Sequence, residues 1–181
     1  MPRKIIKSET VLKNNFFKIT KDDYEKSDRK IVKGYFTIHR PKVVVICALT
    51  EKNKIVLIRQ YRHPVRNFDV ELPAGYTEPH EKDGTAAKRE LLEETGYKGE
   101  KFKKIGEVYS SAGLMSNNIN FFIGFNAKKI HKQTLDQNEE ITEVKEFSWK
   151  EVLKMIQNQK IKDMASVTGI LLAKDYIKKL K

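Results

Sequence analysis

Cysteine is nearly absent from this chain. Cys47 stands alone, which excludes an intramolecular disulfide and any zinc site built from several thiolates. It falls inside the apolar run 43–49, where a thiol reads as a small buried hydrophobe rather than a reactive group. Long apolar runs are missing as well: no stretch reaches the roughly 20 residues that a membrane-crossing helix needs. The opening MPRKIIKSET lacks the apolar segment of a signal peptide, so the expected compartment is the cytoplasm, with no membrane partner. Low-complexity segments and internal repeats are also lacking. Acidic residues are outnumbered, 24 against 36 basic ones, giving a formal net charge of +12. No basic stripe interleaved with aromatics accompanies that charge, so nucleic acid is not favoured as a partner, whereas long-range steering of anionic nucleotides fits it. With 181 residues, 39% apolar and 33% charged, the chain can bury a real core beneath a heavily charged surface.

Short alternating segments at 4–11, 16–21 and 35–38, separated by turn residues such as Asn14, Asn15, Ser27 and Asp28, predict a small antiparallel sheet. Such a sheet buries too little to stand alone and must pack on something. The apolar run 43–49 predicts a strand covered on both faces, and 54–61 returns from it as a hairpin. A short strand at 68–72 leads into Pro73, Ala74 and Gly75. Further strands are expected at 103–110 and 119–126, joined by the small and polar loop SSAGLMSNN, and at 142–147. Ser148 with Glu151 forms a capping box, predicting a helix over 149–157, and an amphipathic helix should run over 165–180. Strands, a helix, more strands and then helices describe an α+β fold. We expect an N-terminal sheet region over 1–40 and a main domain over 41–181.

The chain is organised around residues 75–97, GYTEPHEKDGTAAKRELLEETGY. Ala, Lys, Arg, Glu and Leu predict a helix over 85–95, which Gly96 ends. Glu90, Glu93 and Glu94 fall within an arc of about 100 degrees on it. As plain structure this costs roughly 0.2–0.5 kcal/mol per like-charged pair, and the last two glutamates sit at the negative end of the helix dipole. Arg89 can pair with Glu93 but leaves Glu90 and Glu94 converging. A hard divalent cation such as magnesium, which takes carboxylate oxygens and substrate phosphates, resolves that conflict. A solvated acidic helix is the plainer alternative.

The spacing of Gly75, Glu81, Arg89, Glu90, Leu91, Glu93, Glu94, Gly96 and Tyr97 fills each defining position of the Nudix box, so the chain resembles the Nudix hydrolases. The resemblance implies an α/β/α sandwich with a mixed sheet and the box as loop, helix, loop. It implies pyrophosphate hydrolysis with two or more Mg2+ ions, or Mn2+ in their place. Glu90 and Glu94 would be the principal ligands, Glu93 and the Ala74 carbonyl would assist, Arg89 would orient Glu93, and Gly75 would let the backbone approach the metal.

IRQYRHPV, VELPAG and KIKDMASVTGILL are similar to the ADP-ribose pyrophosphatases within that family. By this resemblance the general base lies on a late acidic loop, here DQNEEITEV, with Glu139 or Glu140 as the candidate and Glu93 as the alternative. Arg62, Arg40, Glu71, Phe17 and Gly113 are the implied substrate contacts, and a homodimer through the N-terminal sheet is the implied assembly. One loop departs from the pattern, with Ser111, Ala112 and Gly113 followed by no carboxylate. Besides ADP-ribose, other nucleoside diphosphate sugars including GDP-mannose are therefore candidates. A non-catalytic nucleotide or RNA sensor is the alternative from a different class. A cap-removing or triphosphate-cleansing enzyme is disfavoured by the same resemblances.

Overall fold

A computed structural model describes residues 3–180. The chain divides into two compact units, one formed by Met1–Lys42 with Val108–Asn118 and the other by Val43–Glu107 with Ile119–Lys181.

In the first unit β1 (Ile5–Lys13), β2 (Lys18–Glu25) and β3 (Ile31–His39) form an antiparallel meander in the order β1-β2-β3. Asn14 makes the first turn, its side-chain oxygen accepting from the N–H groups of Phe16 and Phe17. These strands run longer than apolar alternation predicts. The sheltered positions of β2 include Thr20 and Asp22, and Asp22 accepts from the hydroxyls of Ser8, Thr20 and Thr37. A polar interior of this kind has no hydrophobic period to read. The 110–118 loop does more than connect two strands: Ile38 donates to the Leu114 carbonyl, Ser116 to the Ile38 carbonyl, and the Tyr35 hydroxyl to the Gly113 carbonyl.

The second unit holds the larger sheet, in the order β11-β5-β4-β10-β8, with β6 on β5, β7 on β4 and β9 on β10. Its strands are β4 (Val43–Thr50), β5 (Ile55–Arg62), β6 (Asn67–Glu71), β7 (Ala74–Tyr76), β8 (Tyr97–Lys98), β9 (Lys101–Tyr109), β10 (Asn118–Lys129) and β11 (Ile141–Phe147). β4 and β10 run parallel, while β4–β7, β5–β6 and β5–β11 are antiparallel, so the sheet is mixed as expected. β7 and β8 are too short to carry a pattern and were not anticipated. A 3-10 turn, His63–Val65, ends β5.

Val44, Ile46, Ala48 and Phe122 bury against Ala86, Ala87 and Leu91 of α1 (Asp83–Thr95). The alternate positions face the other way: Gly169 of α3 (Met164–Lys178) packs against Leu72 and against Phe121, which is in register with Val45. Helices therefore cover both faces, and Cys47 is buried between them, its thiol pushed up to about 12 by burial. That thiol is inert. α1 begins two residues earlier than predicted because Gly84 serves inside the first turn rather than in the loop before it. α2 (Trp149–Gln157) carries the expected reciprocal capping box of Ser148 and Glu151. Among the described residues no helix is long and apolar enough to cross a membrane.

Candidate active site

The site is built where β7 lies across from α1. Gly75 pairs in register with Val44, so any side chain on it would point toward the helix. A Cβ there would fall on the Glu90 carboxylate. One turn on, Glu94 accepts from the Ala74 N–H at 2.8 Å. Two glutamates thus fill the seam between strand and helix, Glu90 at 6% and Glu94 at 1% exposure. Removal of a carboxylate from water disfavours its charged form. Burial raises Glu90 to about 7 against the opposing pull of Arg89. Glu94 is held well above the carboxylate range by burial, which its Ala74 hydrogen bond only partly offsets.

Arg89 spans the mouth of this seam. Its Nε and Nη2 grip Glu81 at 3.1 and 2.9 Å, its Nη1 donates to Glu90 at 2.8 Å and Glu93 at 3.0 Å, and Nη2 also reaches the Tyr76 carbonyl at 2.9 Å. The pairing with Glu93 was expected. The grip on Glu81, which holds that carboxyl below its usual range, ties the loop before α1 to the helix itself. Three acids and a backbone carbonyl on one guanidinium make the loop and helix a single rigid part.

A cavity of about 300 Å3 is lined by Gly75, Glu90 and Glu93 together with Thr134, Asp136 and Glu139. Glu139 is near enough to raise the proton affinity of both Glu90 and Glu94. Glu140 is exposed, and it is its backbone carbonyl that is engaged, by the Tyr61 N–H at 3.0 Å. Of the two loop candidates, the cavity wall holds Glu139.

Arg62 and Glu71 meet as a forked pair. Nε lies 2.9 and 3.1 Å from the two carboxylate oxygens and Nη2 makes a further short contact. Glu71 is 2% exposed and burial raises its proton affinity, while Arg62 lowers that of Glu94. A larger hollow of about 910 Å3 lies beside this pair along β6 and the α2–α3 connection. Glu90 and Glu93 line the smaller cavity, not this one. Arg40, Phe17 and Gly113 lie in the first unit.

Among the described residues no three His, Cys, Asp or Glu side chains stand together as a ready metal-ligand set. The hydrogen bonds give the reason: Glu90 and Glu93 are turned to Arg89, and Glu94 to the Ala74 N–H. The donor chemistry nonetheless fits a hard dication. Two buried carboxyls one helical turn apart, whose ionisation burial disfavours and a dication would favour, lie against a strand whose glycine leaves them room. Sequence reasoning missed Gln133 and Thr134, which bind the end of α1. A glutamine and a threonine in a polar loop carry no pattern that would reveal this.

The NUDIX domain family model matches residues 39–166. The chain is 28% identical over 170 residues to the ADP-ribose pyrophosphatase of Bacillus subtilis strain 168, covering 94% of this chain and 91% of that protein. It is 32% identical over 168 residues to the methanol dehydrogenase activator of Bacillus methanolicus, covering 92% and 90%. A crystal structure of an ADP compounds hydrolase superposes with a TM-score of 0.84 at 19% identity, covering 99% of this chain and 96% of that one, a likeness of fold.

Proposed function

The chain belongs to the Nudix family and is a pyrophosphohydrolase, and we propose that it splits the pyrophosphate bond of ADP-ribose or a closely related nucleoside diphosphate sugar into a nucleoside monophosphate and a sugar phosphate. The observation that carries this reading is one small cavity lined by the helix carboxylates of Glu90 and Glu93 and the loop residue Glu139, with Glu94 buried close enough to feel Glu139. The near full-length likeness to an ADP-ribose pyrophosphatase supports the substrate class.

In this reading Glu90 and Glu94 hold a divalent cation, magnesium, with Glu93 and the Ala74 carbonyl assisting. When bound, the metal neutralises the diphosphate and lowers the pKa of a coordinated water. Glu139 takes the proton of the attacking water as the new oxygen–phosphorus bond forms and the bridging one breaks. Arg89 acts as a brace, since its five donors are committed to Glu81, Glu90, Glu93 and Tyr76. Arg62, fixed through Nε and Nη2 by Glu71, presents its remaining edge to a phosphate oxygen, a task suited to a forked guanidinium. Arg40, Phe17 and Gly113 are assigned to the nucleotide by the family resemblance.

We also read the protein as a homodimer. The exposed apolar side chains of the first unit, Ile5, Val11, Leu12, Ile31 and Phe36, each roughly half exposed, support this reading.

The test is turnover with magnesium on a panel of ADP-ribose, GDP-mannose, UDP-glucose, NADH, dinucleoside polyphosphates and a capped RNA. Preference for ADP-ribose, with AMP and ribose 5-phosphate as products, is expected. Preference for another nucleotide sugar would shift the substrate and assign specificity to the departing 111–113 loop. Tight binding with no turnover on any of them would overturn the reading.

A further inference from the structure

The last carbonyls of a helix have no partner within it and must find one elsewhere. In α1 those of Leu91 to Glu94 are accounted for. Leu91 is bonded by the Thr95 hydroxyl and Leu92 by the Gly96 N–H. The Glu93 carbonyl accepts from the Thr134 N–H at 2.8 Å, and the Glu94 carbonyl from the Gln133 side-chain amide at 2.6 Å. The Gly96 carbonyl accepts from the N–H groups of Ile130 and His131. The segment leading into the acidic loop is thus wrapped around the end of the helix that bears Glu90, Glu93 and Glu94.

We propose that Gln133 is a positioning residue for hydrolysis: it straps the leading end of the acidic loop to the Glu94 carbonyl and so holds Glu139 over the helix carboxylates. This rests on the assignment of Glu139 as base. The loop has a second tether, the Tyr61 N–H on the Glu140 carbonyl, so the five residues between Thr134 and Glu140 are pinned at both ends. Within that span Glu139 folds back on Asp136, whose N–H donates to its carboxylate at 3.0 Å while the Glu139 N–H donates to the Asp136 carbonyl. The tethers differ in kind. Those of Thr134 and Glu140 use backbone groups present whatever the sequence, whereas the Gln133 tether exists only through its side chain. Glu94 is consequently held at both ends, its carboxylate on β7 and its carbonyl on the loop. Of the bonds that register the helix to the base loop, the one from Gln133 is made by a side chain to a residue that is also a proposed ligand.

A glutamine that only capped the helix would affect stability alone. A positioning residue changes turnover, and only while the group it positions is present. Q133A should lower kcat about 10- to 100-fold, the scale of a misplacement near 1 Å, with KM within about twofold. Q133K, which restores a donor at a helix C-terminus where a cation is also welcome, should recover most of that loss. In an E139Q background Q133A should be silent to within about twofold, because residues acting through one another are not additive. Hydrogen exchange at the Thr134 amide should quicken in Q133A and return in Q133K. Additive losses in the double variant would overturn the proposal and leave the base assignment standing. A fully active E139Q would overturn the base assignment, and unchanged Thr134 exchange in Q133A would show that no strap exists.

Discussion

The Glu90 carboxylate occupies the space that a side chain on Gly75 would need. The backbone of β7 and the acid of α1 are in van der Waals contact, and the glycine is there to permit it. It keeps its place in the box for what it lacks rather than for an unusual backbone angle.

Gly75→Ala should therefore turn Glu90 out of the seam without unfolding the sheet, because β7 is a short strand at the side of β4. Affinity for magnesium should fall about 10- to 100-fold, the range found when a group that orients a metal ligand is lost. Calorimetric titration of the variant checks this, and unchanged affinity would remove Glu90 from the ligand set.

Burial lifts Glu90 to about 7. A carboxyl whose folded pKa lies above its unfolded value of about 4.3 contributes stability that is complete below that value and is lost as pH rises through the folded pKa. Metal-free protein should therefore show a falling Tm between pH 4.5 and 7.5. The fall should be smaller in Glu90→Gln, and millimolar magnesium should reverse it by binding the charged form. A Tm that rises over this window in metal-free protein would contradict the burial argument.

Arg89→Ala removes the centre of a network that is largely shielded from water, leaving Glu81 and Glu90 as neighbouring uncompensated charges. A loss of about 3 kcal/mol or more is expected in urea unfolding. Arg89→Lys keeps the charge but has no fork with which to span four acceptors, so it should recover little of the loss. Full recovery by lysine would reduce the network to a simple charge effect.

Phe36→Asp places a charge among the exposed apolar side chains of the three-stranded sheet. If that surface joins two copies, light scattering should show the mass falling to that of a single chain at micromolar concentration. A dimeric mass that the variant leaves unchanged would move the interface elsewhere, and a single-chain mass in the wild type would remove the dimer.

The box could be read from sequence because its parts lie in one continuous stretch. Helical periodicity alone brings Glu90 and Glu94 together, and Arg89 with Glu93. Which of Glu139 and Glu140 lines the cavity could not be read, since it depends on where the Tyr61 N–H catches the loop from a distant strand. The extent of β1–β3 was hidden for another reason, the polar lining of the sheet around Asp22. Gln133 was hidden for a third: its partner is a backbone carbonyl, and backbone acceptors leave no mark on composition or spacing.

The parallel pairing of β4 with β10 joins Val43 to Ile119, with the entire box contained in the chain between them. Closing so long a loop is an entropic cost incurred before any contact rewards it. Parallel, non-local pairing of this kind slows folding toward the millisecond-to-second range. The nascent chain cannot complete this sheet until β10 has been synthesised, so a truncated product ending before it would present the acidic helix on an unclosed sheet. In refolding experiments, recovery of metal binding should lag behind helix formation and follow the closure of this one strand pair.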